Sequence, residues 1–161
     1  MLQLITTGIL AMMNNFSDQK YITAAGFIIF RIKNNNPEIL GLKALPKFRK
    51  QAGGIYDVPK GRIDPGEVPI EAAHRELFEE SGLKVRRIIS KYPIIDKPLA
   101  LWVAEVDDTD IVLIGRNPDT GSIEHEGYKW MKIDEMKDAC LKYLRPSIIE
   151  AKTIIWNYTK I

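Results

Sequence analysis

Residues 74–82, HRELFEESG, set three glutamates on what reads as one turn and a half of helix. Glu76, Glu79 and Glu80 are three or four positions apart, so a helix turns all three to one side. Like charges at that spacing cost a helix roughly 0.2–0.5 kcal/mol per pair. The neighbouring sequence nevertheless demands a helix. From Pro69 to Ser81 the apolar residues Ile70, Ala73 and Leu77 recur at intervals of three and four. Pro69 suits a first turn, and Gly82 suits the left-handed position that closes a helix. The carboxylate stripe therefore lies beside an apolar stripe. Such a stripe is relieved by a hard divalent cation, which takes oxygen ligands and completes its shell with water or phosphate.

The loop before this helix carries the second constraint. Lys60-Gly61 and Pro65-Gly66 in VPKGRIDPGE permit tight turns and close approach of a ligand to the backbone. Glu67 follows, and Arg75 stands eight residues later. A guanidinium held by a carboxylate is a rigid fork, so Glu67–Arg75 is expected to brace the loop against the helix.

Around this unit the chain alternates between strand and helix patterns. YITAAGFIIFRI (21–32) and EILGLKAL (38–45) read as a hairpin turned at KNNNP. PKFRKQAGG (46–54) reads as a basic loop, IYDVP as a short strand, and KGRIDPGE as a loop. Residues 84–95, 99–106, 109–115 and 128–133 read as strands, with a polar loop in RNPDTGSIEHEG. DEMKDACLKYL, capped near Asp134 and stopped before Pro146, and PSIIEAKTIIWNY read as terminal helices. The expectation is a mixed sheet with one central helix, α/β or α+β, in a single domain over 19–161.

Bulk properties exclude several classes. The chain has 161 residues, 45% hydrophobic and 27% charged, with net charge +2. That charge is too small to imply a nucleic-acid or membrane partner. LQLITTGILAMM (2–13) is uncharged but too short to span a bilayer, and it lacks the basic start of a secretion signal. Residues 1–18 therefore stand as an extension that the sequence leaves as an added strand, a partner contact or an upstream start. One cysteine, Cys140, precludes an internal disulfide and fits a reducing, cytoplasmic setting. Cys140 itself reads as a small buried apolar residue.

A glutamate-rich helix alone is usually a solvated face. The joint spacing is different: Gly61, five residues, Glu67, seven residues, Arg75-Glu76-Leu77, one residue, Glu79-Glu80, one residue, Gly82-Leu83. This resembles the Nudix box at every defining position, over residues 61–83. The resemblance implies an α/β/α sandwich around a central mixed sheet, with the box as loop–helix–loop. It implies hydrolysis of a nucleoside diphosphate linked to another group, with Mg²⁺ or Mn²⁺. By position, Glu79 and Glu80 are then metal ligands and Glu76 a ligand or the general base. The carbonyl of Lys60 or Gly61 completes the shell, and Glu67 with Arg75 is the supporting pair.

AAGFIIFR, VPKGRIDPGE, LALWVAEV and EHEGYKWMKIDEM extend the likeness to the asymmetrical diadenosine tetraphosphate hydrolases. That resemblance makes Glu124 a further ligand or base, His125 a phosphate contact and Tyr128 a nucleobase contact. Each has a plain alternative, as a loop charge or a packing residue. Lys60 suits a phosphate contact. Lys47, Arg49 and Lys50 either draw in a polyanion or are solvated loop charges. Tyr56 stands where the family usually has tryptophan, and Tyr56, Tyr92, Trp102 and Tyr128 are the candidates for stacking on a base. The loop IGRNPDTGSIEHEG is longer than in those hydrolases. Similar PKG boxes occur in RNA 5′-pyrophosphohydrolases and diphosphoinositol polyphosphate hydrolases. The RNA 5′ end and oxidised nucleotides therefore remain alternative substrates. A nucleotide sensor without turnover is disfavoured, since such proteins usually lose box carboxylates and all are present here.

Overall fold

The computed structural model describes residues 21–160, so the extension read over 1–18 lies outside the described residues. Strand β1 (Ala24–Lys33) and strand β2 (Asn36–Ala44) form an antiparallel hairpin in the register Lys33↔Asn36. Its two turn residues, Asn34 and Asn35, have φ of 50° and 63°. A tight hairpin turn requires positive φ at both central positions, and asparagine tolerates it best after glycine.

β1 is the axis of the molecule. Residues Ala25 to Phe30 are all buried, as expected of a strand covered on both faces. Its side chains alternate between two cores. Phe27 and Ile29 join Ala72, Ala73 and Leu77 of one helix, α2 (Pro69–Ser81). Ile28 and Phe30 join Leu144, Ile148, Ala151 and Ile155 on the other side. The result is three layers, with α2 on one face of the sheet and the carboxyl-terminal helices on the other.

The sheet is mixed. Strand β7 (Leu99–Glu105) runs parallel to β1, and the remaining pairings are antiparallel. Strand β8 (His125–Lys132) lines β2, with an irregularity between Lys43 and Ala44. The short β3 (Tyr56–Asp57) also pairs with β2.

Several elements differ from the sequence expectation. The basic loop at 46–54 contains a helix, α1 (Pro46–Ala52), with proline in its first turn and no buried residue. Part of the expected KGRIDPGE loop is a strand, β4 (Lys60–Arg62), which pairs with the start of β1. Residues 84–95 hold two short strands, β5 (Arg87–Ile88) and β6 (Ile94–Asp96), both on the far edge of β7. Residues 109–115 form no strand: Leu113 N–H and Gly115 N–H donate to the Ser81 and Glu80 carbonyls at the end of α2. Those carbonyls lack partners within the helix, and they take the donors a strand would have used.

At the carboxyl end α3 spans Ile133–Ala139, a 3₁₀ turn spans Lys142–Leu144, and α4 spans Arg145–Thr159. Asp134 does not cap α3. It lies in the first turn and accepts from Lys152 Nζ at 2.7 Å. Cys140 is buried after α3, and burial pushes its thiol up to about 11. No helix of the described residues is long and apolar enough to cross a membrane.

Candidate active site

Helix α2 starts and ends where its sequence dictates. Pro69 occupies the first turn, where the Glu71 carboxylate accepts from Val68 N–H at 3.3 Å. Gly82 closes the helix at φ 71°, and its N–H donates to the Phe78 carbonyl. Ala73 and Leu77 bury against the sheet, which leaves Glu76, Glu79 and Glu80 along the boundary between core and cleft. All three line a cavity of about 810 Å³. Its other walls come from β4, from residues 115–119 and 124–125, and from α1 with the 3₁₀ turn.

Arg75 organises the acid wall. Its Nε and one terminal nitrogen donate to both oxygens of Glu67, at 2.8 and 2.9 Å. That fork also reaches the Arg62 carbonyl at 2.8 Å. The other terminal nitrogen donates to Glu76 at 2.8 Å and to Glu79 at 3.3 Å. Hydrogen bonding from Arg75 holds the Glu67 carboxyl below its usual range. One guanidinium thus ties the loop of 61–67 to two carboxylates of the helix.

The carboxylates are poised against one another. Burial pushes Glu80 well above the usual carboxylate range, and repulsion from Asp57, Glu76 and Glu124 adds to it against the pull of Lys60. Burial also raises Glu76, opposed by Arg75 and reinforced by Glu79 and Glu124. Glu124, just before β8, therefore faces the same charge cluster. Among the described residues no three acidic, histidine or cysteine side chains are already gathered to hold a metal ion. The donor set nonetheless fits a hard divalent cation: every group is an oxygen, and the buried negative charge lacks an equal positive partner. Gly61 supplies the room. A Cβ there would lie 2.2 Å from the Glu76 carboxylate, so the backbone of β4 and that carboxylate share a space any side chain would fill. Gly115 does the same on the other side, where a Cβ would lie 1.8 Å from the Glu79 carbonyl oxygen.

Under the acids lies a second polar group. Lys60 Nζ donates to Asp57 Oδ2 at 2.9 Å and lies 5.6 Å from the centre of the Tyr143 ring. Lys60 N–H donates to Glu80 at 3.2 Å. Burial works against the charge on each partner, yet the Lys60 ammonium holds Asp57 below its usual range and Asp57 raises Lys60. His125 is buried with Nε2 3.7 Å from the same Asp57 oxygen.

Of the residues singled out by sequence, the cavity gathers Lys60, Gly61, Arg75, Glu76, Glu79, Glu80, Glu124 and His125. Glu67 lies behind them on Arg75. Tyr56 and Tyr128 do not line it. Tyr56 packs against the core beneath the sheet, and Tyr128 is exposed on β8. Tyr92 and Trp102 do not line it either, and Trp102 packs on Phe27 at 6.4 Å. The aromatic rings in the cavity are instead Phe48, on α1, and Tyr143, on the 3₁₀ turn. Neither shows in the sequence, because Phe48 falls in a stretch that reads as loop and Tyr143 in one that reads as terminal helix. Asp57 was also missed. An Asp-x-x-Lys spacing across Val58-Pro59 was its signal. Arg49 is drawn to Glu126 at 2.8 Å, and Lys47 lies over the Phe48 ring at 4.8 Å.

Comparison with known proteins places the chain in a family. The NUDIX domain family matches residues 21–151. The asymmetrical bis(5′-nucleosyl)-tetraphosphatase of Rattus norvegicus is 33% identical over 132 residues, covering 71% of this chain and 81% of that protein. An RNA pyrophosphohydrolase of Helicobacter pylori is 50% identical over 40 residues, covering 25% of this chain and 26% of that protein. Among solved structures, a C. elegans Ap4A hydrolase in a binary complex shares the fold with TM-score 0.62 at 24% identity, over 83% of this chain and 98% of that one. The chain belongs to the Nudix hydrolases, enzymes that act on phosphoanhydride bonds.

Proposed function

We propose that this chain hydrolyses a phosphoanhydride of a dinucleoside polyphosphate, and that its substrate is diadenosine tetraphosphate, cut to ATP and AMP. One observation carries the reading. A single cavity is lined both by the carboxylates Glu76, Glu79, Glu80 and Glu124 and by Phe48, Ala52, Leu141 and Tyr143. Its volume of about 810 Å³ lies in the range of cavities that take up drug-sized ligands. A polyphosphate suits the carboxylates once their charge is offset, and a base suits the rings, because stacking needs an aromatic face. The likeness to the rat tetraphosphatase supports the same substrate.

Glu76, Glu79 and Glu80, with the carbonyl of Lys60 or Gly61, are the groups that would hold Mg²⁺ or Mn²⁺. Bound there, the ion would supply charge neutralisation at phosphate oxygens. The remaining work belongs to side chains. A water oxygen forms a bond to phosphorus as the bridging P–O bond breaks, and the departing phosphate takes the electron pair. A carboxylate, Glu124 or Glu76, accepts the water proton. Glu76 is engaged by Arg75 at 2.8 Å, whereas Glu124 lines the cavity from the residue just before β8. That difference favours Glu124 as the base. Arg75 holds the acid wall in place throughout.

The RNA 5′ end is the second reading, favoured by the 40-residue likeness to the RNA pyrophosphohydrolase. The experiment that separates them incubates the protein and Mg²⁺ with diadenosine tetraphosphate, triphosphorylated RNA, oxidised dGTP, ADP-ribose and a diphosphoinositol. Reaction in ¹⁸O water locates the cut by mass spectrometry. The expected outcome is the highest kcat/KM on diadenosine tetraphosphate, with products ATP and AMP. A clear preference for RNA replaces the substrate, and no turnover of any compound overturns the hydrolytic reading for this chain.

A further inference from the structure

Asp57 is a carboxylate with no place in the reaction as derived. It is 9% exposed. It stands at the end of β3, where β2, β4 and β8 converge. Its Oδ1 accepts from Val58 N–H at 2.8 Å, which fixes its rotamer from within its own turn. Its Oδ2 accepts from Lys60 Nζ at 2.9 Å and lies 3.7 Å from His125 Nε2. Lys60 is itself mostly covered, with 18% of its side chain exposed, and that exposed part faces the cavity.

An ammonium has three donors. Asp57 takes one of those of Lys60, and the Tyr143 ring lies 5.6 Å from the same nitrogen. The ammonium keeps donor capacity for a ligand in the cavity it lines. A flexible four-carbon stem makes lysine a poor anchor unless something fixes its end. Here a buried carboxylate fixes it. Removing that carboxylate would leave a covered, unpaired charge, which proteins do not tolerate in place, and the stem would swing toward water.

We propose that Asp57 is a positioning residue, whose carboxylate holds the Lys60 ammonium at the cavity wall as the anchor for a substrate phosphate. The proposal rests on the reading of the cavity as a polyphosphate site. It separates two roles for one buried ion pair. If Asp57–Lys60 only supports the fold, replacing both partners by neutral groups restores what either single change takes away. If Asp57 positions an anchor, the double replacement restores stability and leaves binding impaired.

The test uses the full chain and inorganic tripolyphosphate as the probe, with affinity read by calorimetry and stability by thermal unfolding. The variants are Asp57→Asn, Lys60→Met and the two combined. Each single variant is expected to weaken tripolyphosphate binding about tenfold, with a lowered Tm. The double variant is expected to recover Tm toward wild type yet bind no better than Lys60→Met alone. On whichever polyphosphate the wild type cleaves, kcat/KM is expected to follow the same non-additive pattern. Wild-type affinity in Asp57→Asn, or full recovery of binding in the double variant, overturns the positioning role alone. Absence of tripolyphosphate binding and of polyphosphate cleavage by wild type overturns the underlying reading and this proposal with it.

Discussion

At the scale of single residues, the site is a set of acids restrained by one base. Glu79 is held only at 3.3 Å by Arg75 and contributes little to the core. Glu79→Gln is expected to lower kcat by about 10²-fold or more, in line with loss of one preorganised electrostatic group, while thermal unfolding is unchanged. Arg75 is a different case. Its planar fork meets Glu67 with two bonds and Arg62 with a third contact. Lysine cannot reproduce that geometry. Arg75→Lys is expected to cost about 1–3 kcal/mol in denaturant unfolding and to lower kcat as well. The placement of these residues was legible in the sequence because spacing on a helix sets direction: positions 76, 79 and 80 share a side, and Glu67 meets Arg75 across the loop. Phe48, Asp57 and Tyr143 were not legible. Each reaches the cavity through pairing between distant segments, which no local period encodes.

At the scale of elements, legibility followed length and burial. The thirteen-residue α2 declared itself by its apolar spacing, its proline and its glycine. The seven-residue α1 buries nothing and so has no apolar stripe to read. It is held by the corner that follows it, where Lys142 N–H donates to the Gly53 carbonyl at 3.1 Å and Ile55 N–H to the Ala139 carbonyl at 2.8 Å. Residues 109–115 show the opposite failure. Their apolar run, Ile111 to Ile114, suggests a strand, but Ile111 and Leu113 are exposed, while Val112 enters the core and Ile114 packs against it. A short apolar run is satisfied equally by a chain laid along a helix end. The position of α1 yields a prediction of its own. Phe48→Ala is expected to raise KM for a dinucleoside substrate about tenfold or more, consistent with loss of a base stack worth roughly 1–3 kcal/mol. Its kcat and Tm are expected to stay near wild type, as steady-state kinetics and calorimetry would show.

At the scale of the whole molecule, the two cores have different duties. The core shared by β1 and the carboxyl-terminal helices contains Leu144, Ile148, Ala151 and Ile155, all fully buried, and stands on the far side of the sheet from the carboxylates. Ile155→Ala is expected to cost about 2–5 kcal/mol in stability with KM unchanged in the fraction that remains folded. The other core presses α2, and hence the acids, against the sheet. There the fold carries a pH-dependent cost. Glu80 has a raised pKa in the metal-free protein, so the folded form binds its proton more tightly than the unfolded chain does. Stability from this group is therefore greatest below its unfolded pKa and is lost as pH rises toward its folded value. A divalent cation held there, as proposed, would remove that penalty and would have to compete with the proton. Addition of Mg²⁺ is expected to raise Tm more at about pH 8 than at about pH 5, and Glu80→Gln is expected to reduce the difference. Scanning calorimetry at the two pH values would decide it.

The contact of Gly115 with the end of α2 has a consequence for how such an enzyme can change. Residues 116–123 close on themselves: Asn117 N–H donates to the Ser122 carbonyl at 2.8 Å, and Gly121 N–H to the Asn117 carbonyl at 2.7 Å. The segment hangs from a point already bonded to the helix that bears the acids. Insertions or exchanges beyond that point can reshape one rim of the cleft while the acid wall keeps its place. The acids of the helix and this rim are thus mounted on separate parts, and the rim can be exchanged without moving Glu76, Glu79 or Glu80.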